Sequence, residues 1–367
     1  MTREWLSQAI TGQRPVWPGA PDGDIETLVA VADEEGVCAL LNEQISADVD
    51  WAQQIPVAFR EEVARLAPEK ALHSLVRERE CRRVLGLLKQ VQVPVLLLKG
   101  TALAYWAYVT PYSRERGDID LLFRNKADVD TALGLLANLK FDLVEKALPG
   151  DLISFEVTAR REIEHGVPLE IDLHWHLSNT PMFAFRFSFD ELMCKAVALP
   201  KLAPNAFGLA PVPAYLHACM HRIQNITIHC ENKLKWLYDL YVLGRKFSHD
   251  DWQKLATAAI DKKLAGVCVD GLLAAEACFG SQAPLPIIEQ LKQAAKHESM
   301  DVTKMGRWFY IQRMNFLAYP SSWLRLRWLW QRLLPDIAYM KTYYGEGQGF
   351  WKLLATRIRS GIGRLIR

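Results

Sequence analysis

The sequence predicts an α+β fold: a small mixed β-sheet core with an N-terminal helical cap and a C-terminal helical domain. Three observations carry it. Apolar residues recur at helical spacing over much of the first 90 positions. Short apolar runs bounded by polar turns gather between about 93 and 177. Beyond Pro213 helical spacing returns almost to the end. Strands and helices mixed first, then helices alone, suit one sheet with helices laid on it. This divides the chain at 1–90, 91–205 and 206–367, and 367 residues suit two or three domains.

Pro15, Pro18, Gly19, Pro21 and Gly23 mark an opening loop. A helix over Asp24–Ile45 follows, with Leu28, Val31, Ala32, Val37, Leu40 and Leu41 as its buried stripe. Val57–Leu66 reads as a second helix, and Lys70–Val91 as a longer one carrying Leu72, Leu75, Val76, Val84, Leu85 and Leu88. Val93–Leu98 is a short apolar run ending at Gly100, which fits a buried strand. Thr101–Val109 reads as helix, Asp118–Phe123 as strand, Ala127–Leu139 as helix and Phe141–Lys146 as strand. Val157 and Pro168–Leu177 belong to further strands, joined as a hairpin through Glu164-His165-Gly166.

The net charge is +2 but unevenly placed. From Lys304 onward twelve basic residues face two acidic ones, a local balance of +10 that leaves −8 for the rest. With Trp323, Trp328, Trp330 and Trp351, this tail suits a polyanion or an anionic membrane surface, although an amphipathic tail packed on an acidic body accounts for the same pattern. Seven cysteines without a C-x-x-C pair argue against a disulfide framework. The N-terminus lacks the apolar stretch of a signal peptide, and no run approaches the roughly 18 apolar residues of a membrane span. A reduced, cytoplasmic protein is expected.

The chemistry concentrates in LLLKGTALAYWAYVTPYSRERGDIDLLF, Leu96 to Phe123, and in PLEIDLHWHL, Pro168 to Leu177. Side chains alternate faces along a strand, so Asp118 and Asp120 share a face about 6.6 Å apart, as do Glu170, Asp172 and His174. Asp172 follows Asp120 by 52 residues with a helix between, which allows the two strands to lie side by side. Carboxylates from two strands directed at one place suit a divalent metal and phosphoryl or nucleotidyl transfer. A lone Asp-x-Asp is weak evidence, because surface strands often alternate acidic and apolar residues. Gly100, between a strand and a helix, adds backbone amides that can meet a phosphate, and Arg114 and Arg116 add cationic donors for a triphosphate.

These stretches resemble the nucleotidyltransferase superfamily, and more narrowly the bacterial "uncharacterised nucleotidyltransferase" family. The matching segments are Val93–Ala104, Arg114–Leu122, Glu170–Trp175 and Tyr215–Leu240, the last containing LKWLYDL; the likeness runs from about residue 25 to about 345. The superfamily usually has Gly or Ser after the glycine and about a dozen residues to the aspartates. Here Thr101 follows Gly100 and the gap to Asp118 is 18, a spacing the narrower family shares. The resemblance implies a polymerase-beta-like palm, Mg²⁺ or Mn²⁺ on Asp118, Asp120 and Asp172, and Asp172 as the activator of an acceptor hydroxyl. It also implies phosphate contacts at Lys99, Gly100, Thr101, Arg114 and Arg116. The expected reaction moves an NMP from an NTP, ATP among the candidates, to a small molecule, a protein or an RNA end. A catalytically silent nucleotide-binding scaffold and a toxin-like enzyme acting on tRNA are the rival expectations.

Glu170 and His174 suit groups that orient Asp172, or an ordinary polar strand face. His217 and His221, at i and i+4 with Cys219 near, have a spacing that zinc can use, but packing or substrate contact suits them better. Lys233 and Lys235 suit either nucleotide contacts or a solvated helix face. Trp106, Tyr108 and Tyr112 suit either a stacked base or the core.

Overall fold

A computed structural model describes residues 2–18, 22–144, 147–163, 167–345 and 349–365. The first helices are α1 (Thr2–Ile10), α2 (Asp22–Glu34), α3 (Cys38–Ala47), α4 (Val49–Ala52) and α5 (Val57–Gln90). The core follows as β1 (Val95–Leu97), α6 (Lys99–Trp106), β2 (Asp118–Phe123), α7 (Lys126–Asn138), β3 (Asp142–Leu143), β4 (Glu156–Ile163) and β5 (Val167–His174). Then come α8 (Pro181–Ala184), α9 (Phe189–Met193), β6 (Val197–Ala198) and β7 (Phe207–Gly208). The remaining helices are α10 (Pro211–Gln224), α11 (Leu234–Arg245), α12 (His249–Asp261), α13 (Ala265–Phe279), α14 (Leu285–Ala295), α15 (Trp308–Leu317), α16 (Ser322–Leu333), α17 (Ile337–Tyr344) and α18 (Phe350–Leu365).

The α+β expectation holds. Seven strands form one mixed sheet in the order β3-β4-β5-β2-β1-β7-β6. β1 runs antiparallel to β2, β2 parallel to β5, and β4 with β5 forms the expected hairpin, paired from Glu156↔His174 to Ile163↔Val167. Residues 164–166 of its tip lie outside the described residues, as do 19–21 of the predicted opening loop and 145–146 of the predicted Phe141–Lys146 strand.

Several boundaries differ from expectation. A first helix, α1, was not foreseen, and Gly23 lies inside α2. The single helix expected over Asp24–Ile45 is two, broken where Gly36 takes a left-handed φ of 68°. The two helices expected on either side of Pro68 are one, α5. The proline forfeits a backbone hydrogen bond, but both halves are pinned by packing: Phe59, Val63 and Ala67 before or at the break, Cys81, Val84, Leu85 and Leu88 after it.

Strand alternation separates two cores. Ile119, Leu121 and Phe123 of β2, with Leu169, Ile171 and Leu173 of β5, pack against α7 and the second half of α5. On the other face Leu96, Leu98 and Leu122 join a continuous core made by the N-terminal helices and α10–α14. The carboxylates of β2 and β5 fall on this second face, so the helices on that side form the walls around them.

Candidate active site

The register between β2 and β5 builds the site. Asp118 lies opposite Glu170, and Asp120 opposite Asp172. One ligand atom each from Asp120, Asp172 and His174 lies within 4.8 Å of the others. Asp120 and His174 are buried, at 1% and 2% exposure, while Asp118, Glu170 and Asp172 are half-buried.

Asp120 is the hub. Its Oδ1 accepts from Lys99 Nζ at 2.6 Å and lies 3.1 Å from His174 Nε2, while the other ring nitrogen of His174 lies 3.0 Å from Glu156 Oε2. Lys99 reaches it because the turn from β1 into α6 places its backbone at a left-handed φ of 48°, a conformation that costs about 1 kcal/mol in a non-glycine residue. Burial alone would raise the Asp120 pKa, but Lys99 and His174 outweigh it and hold the carboxyl well below the usual range. Burial would likewise lower His174, yet Asp120 and Glu156 carry it up to about 9, so the imidazole is protonated at neutral pH. Lys99, desolvated but facing Asp120 and Asp118, is held above the ordinary lysine value.

The other two carboxylates shift upward. Asp118 is raised chiefly by the Asp120 charge and then by burial. Asp172 is pushed up to about 6 by burial and by Asp120, against a 2.7 Å hydrogen bond from Thr158 Oγ1. Carboxylates crowded until one raises the others are the condition a divalent cation relieves, and their oxygens are the hard donors Mg²⁺ or Mn²⁺ prefer. The carboxylates of Asp120 and Asp172 therefore fit a metal, while Asp118, on the same face of β2, lies outside their 4.8 Å cluster. Glu156 and Thr158 were not singled out in the sequence: β4, EVTARREI, was expected as a strand, but its mixed polar residues did not mark which would reach the site.

Next to these carboxylates a cleft opens between α6, the loop before β2, and α10 and α11; its lining includes Lys99, Gly100, Arg116, Asp118, Lys235 and Trp236. Arg114 is enclosed at its wall. Its Nε and Nη2 donate to Asp239 Oδ1 and Oδ2, each at 2.7 Å, and Nη1 donates to the Glu115 carbonyl. Tyr108 Oη donates to the same Asp239 at 2.7 Å, so its ring is core rather than a free stacking surface. Gly100 lies beneath this guanidinium: a Cβ there would stand 3.1 Å from Arg114 Cζ. Thr101, also buried, donates to the Asp118 carbonyl at 3.3 Å and so fixes the start of β2. Glu170 pairs with Arg160 across the hairpin, with Nε 2.6 Å from Oε1.

Two cations face the cleft differently. Arg116 stacks over Tyr105 at 5.3 Å and keeps Nε and Nη2 buried without a hydrogen-bond partner. Lys235 is half-buried, and burial, then Arg114 and Lys233, lower its pKa to about 8. Trp106 lines the cleft with a buried, unpartnered indole N–H. His217 and His221 also line it, but among the described residues their donors join no metal-sized cluster; burial lowers the pKa of both, and His221 stacks edge-on against Trp236 at 4.6 Å.

A mixed sheet that gathers carboxylates from neighbouring strands beside a cation-lined cleft suits metal-dependent phosphoryl or nucleotidyl transfer. The family described as "Uncharacterised nucleotidyltransferase" matches residues 21–280, well over half of the chain, and the chain belongs to it. The match ends before the basic tail, short of the extent to about 345 expected from the sequence. No curated protein matches the chain. No helix among the described residues is long and apolar enough to cross a membrane.

Proposed function

We propose that this enzyme transfers a nucleoside monophosphate from an NTP to an acceptor hydroxyl and releases pyrophosphate, at Asp118, Asp120 and Asp172. The observation that carries the proposal is the parallel pairing that sets Asp120 beside Asp172 at the edge of a cleft lined by Lys99, Gly100, Asp118 and Lys235. Mg²⁺ or Mn²⁺ held by the three carboxylates would supply positive charge to the triphosphate oxygens.

The protein groups have distinct tasks. Asp172, with its pKa pushed up to about 6 and one oxygen fixed by Thr158, takes the proton from the acceptor hydroxyl. The acceptor oxygen then bonds to the α-phosphorus, and the bond from that phosphorus to the pyrophosphate oxygen breaks. Lys99 and His174 keep Asp120 ionised and oriented. Glu156 holds the far side of His174, and Glu170 stiffens the strand through Arg160. Lys235 and Arg116 stand ready for the β- and γ-phosphates, while Arg114 over Gly100 shapes the phosphate-facing turn. The unpartnered N–H of Trp106 offers a donor to the base or acceptor. The acceptor is a hydroxyl of a small molecule, a protein side chain or an RNA end.

Each of the four α-labelled NTPs, incubated with Mg²⁺ or Mn²⁺ and a pool of metabolites, protein and RNA, tests the proposal. The wild type transfers label with at least one of them, and the Asp118→Asn, Asp120→Asn double variant does not. Transfer surviving in that variant would refute the site. Nucleotide binding without transfer to any acceptor class would support a silent scaffold instead.

A further inference from the structure

The C-terminal helices form a surface that the active site does not use. In α16, SWLRLRWLWQRL, Trp323, Leu326, Trp330 and Leu333 follow the spacing i, i+3, i+7, i+10 and form one stripe. All four face solvent, at 71, 59, 64 and 59% exposure. The opposite face is docked: Trp328 is buried at 4%, Gln331 accepts from the Leu152 amide at 3.1 Å, and Arg327 pairs with Asp151 at 2.7 Å. The stripe is therefore held outward by packing on the loop before β4. Soluble surfaces seldom carry four large apolar side chains in one row, and such a row marks an interaction site.

The surrounding charge says what it meets. Exposed Arg327 stands at the border between the docked face and the stripe, half-buried Arg325 and Arg332 lie toward the docked side, and α16 contains no acidic residue. The next long helix repeats the design. In α18 Trp351 and Ile358 are exposed at 79 and 54%, with exposed Lys352 and Arg359 beside them, and again no acid. Arg357 of α18 donates to the Arg332 carbonyl, which ties the two helices together. The segment from Lys304 carries a balance of +10 in a chain of +2.

We propose that α16, supported by α18, seats the enzyme on an anionic phospholipid bilayer. Trp and Leu enter the region between headgroups and acyl chains, while the exposed Arg327, Lys352 and Arg359 meet lipid phosphates; an amphipathic helix of this composition lies flat in the interface without spanning it. A nucleic acid fits less well: it would pair with the cations and stack on the tryptophans, but leave Leu326 and Leu333 in water.

The test is co-sedimentation of the full-length protein with vesicles of phosphatidylcholine plus phosphatidylglycerol, beside vesicles of phosphatidylcholine alone. The wild type pellets with the anionic vesicles, much less with the neutral ones, and less as salt rises. A Trp323→Ser, Trp330→Ser variant binds about tenfold more weakly or worse, and an independent Leu326→Ser, Leu333→Ser variant does the same. Both keep close to the wild-type melting temperature, because the four side chains are mostly exposed. Equal recovery with and without anionic lipid overturns the proposal. So does a stripe variant that binds vesicles as the wild type does. Self-association, or RNA binding without lipid binding, that disappears in the same variants assigns the stripe to a second copy or to nucleic acid and likewise overturns it.

Discussion

Replacing Asp239 by alanine tests how the helical half of the molecule holds Arg114 over the turn from β1 into α6. Arg114 and Asp239 are 125 residues apart in sequence, and each side chain is 6% exposed. Two 2.7 Å hydrogen bonds join them, and a third reaches Asp239 from Tyr108. Removing the carboxylate leaves a guanidinium without its counter-charge in a place water hardly reaches, which costs about 3–5 kcal/mol. The lost Tyr108 bond adds about 1 kcal/mol. A total of about 5 kcal/mol lowers the melting temperature by about 10 °C, at roughly 2 °C per kcal/mol for a chain of this size. Thermal unfolding by differential scanning fluorimetry reads the shift. The paired variant Arg114→Met, Asp239→Leu removes both charges and recovers most of the stability, because an apolar pair of similar volume needs no counter-ion. An Asp239→Ala protein melting within about 2 °C of wild type would refute this account of Arg114. If the stable paired variant also binds nucleotide as wild type does, Arg114 acts through the fold alone.

Gly100→Ala separates helix propensity from the space Arg114 needs. Alanine gains up to about 1 kcal/mol in a helix, but its Cβ meets a guanidinium pinned by Asp239, and overpacking of this kind costs about 1–3 kcal/mol. The variant is therefore less stable, and an increase in melting temperature would count against the packing argument. Lys235→Met is stabilising at pH 7 by about 1–2 kcal/mol, after discounting for partial exposure. The folded value of about 8 lies below the ordinary 10.5, so the unfolded chain binds more protons between them and wild-type stability rises across that window. The variant's advantage is complete below about pH 8 and fades toward pH 10.5; an advantage constant across that range would refute the assignment. Thr158→Val removes a bond that lowers the Asp172 pKa, so the acidic limb of the pH–rate profile moves to higher pH and transfer at pH 6 falls about tenfold. An unmoved limb would show that Asp172 is not the proton acceptor.

The parts of the fold legible in the sequence are those whose signal is local. Asp118–Phe123 appears at its predicted bounds because alternation and flanking turns are both strong there. The strand period placed Asp118 with Asp120, and separately Glu170 with Asp172 and His174, on one face of each strand, and the helix between the strands made parallel pairing possible; the β2–β5 register then puts the two sets side by side. The misreadings come from tertiary override. Pro68 reads as a helix boundary, and only the packing of both halves of α5 shows otherwise. β4, expected as a strand around Val157, carries Glu156, Thr158 and Arg160 toward the site face, but its polar pattern gave no sign that they would support His174, Asp172 and Glu170. The Arg114–Asp239 pair joins the loop before β2 to α11, and no periodicity connects those positions. Thr101 on the Asp118 carbonyl and Arg114 on Asp239 are likewise contacts that no local pattern announces.

The account rests on two strands building one cation site. Mn²⁺ titration of the full-length protein, followed by the electron paramagnetic resonance of free Mn²⁺, measures that site without substrate or acceptor. Asp120→Asn on β2 and Asp172→Asn on β5 should each weaken Mn²⁺ binding by about tenfold or more, while the folded state persists. Either variant binding Mn²⁺ with wild-type affinity would contradict a metal centre shared across the β2–β5 register.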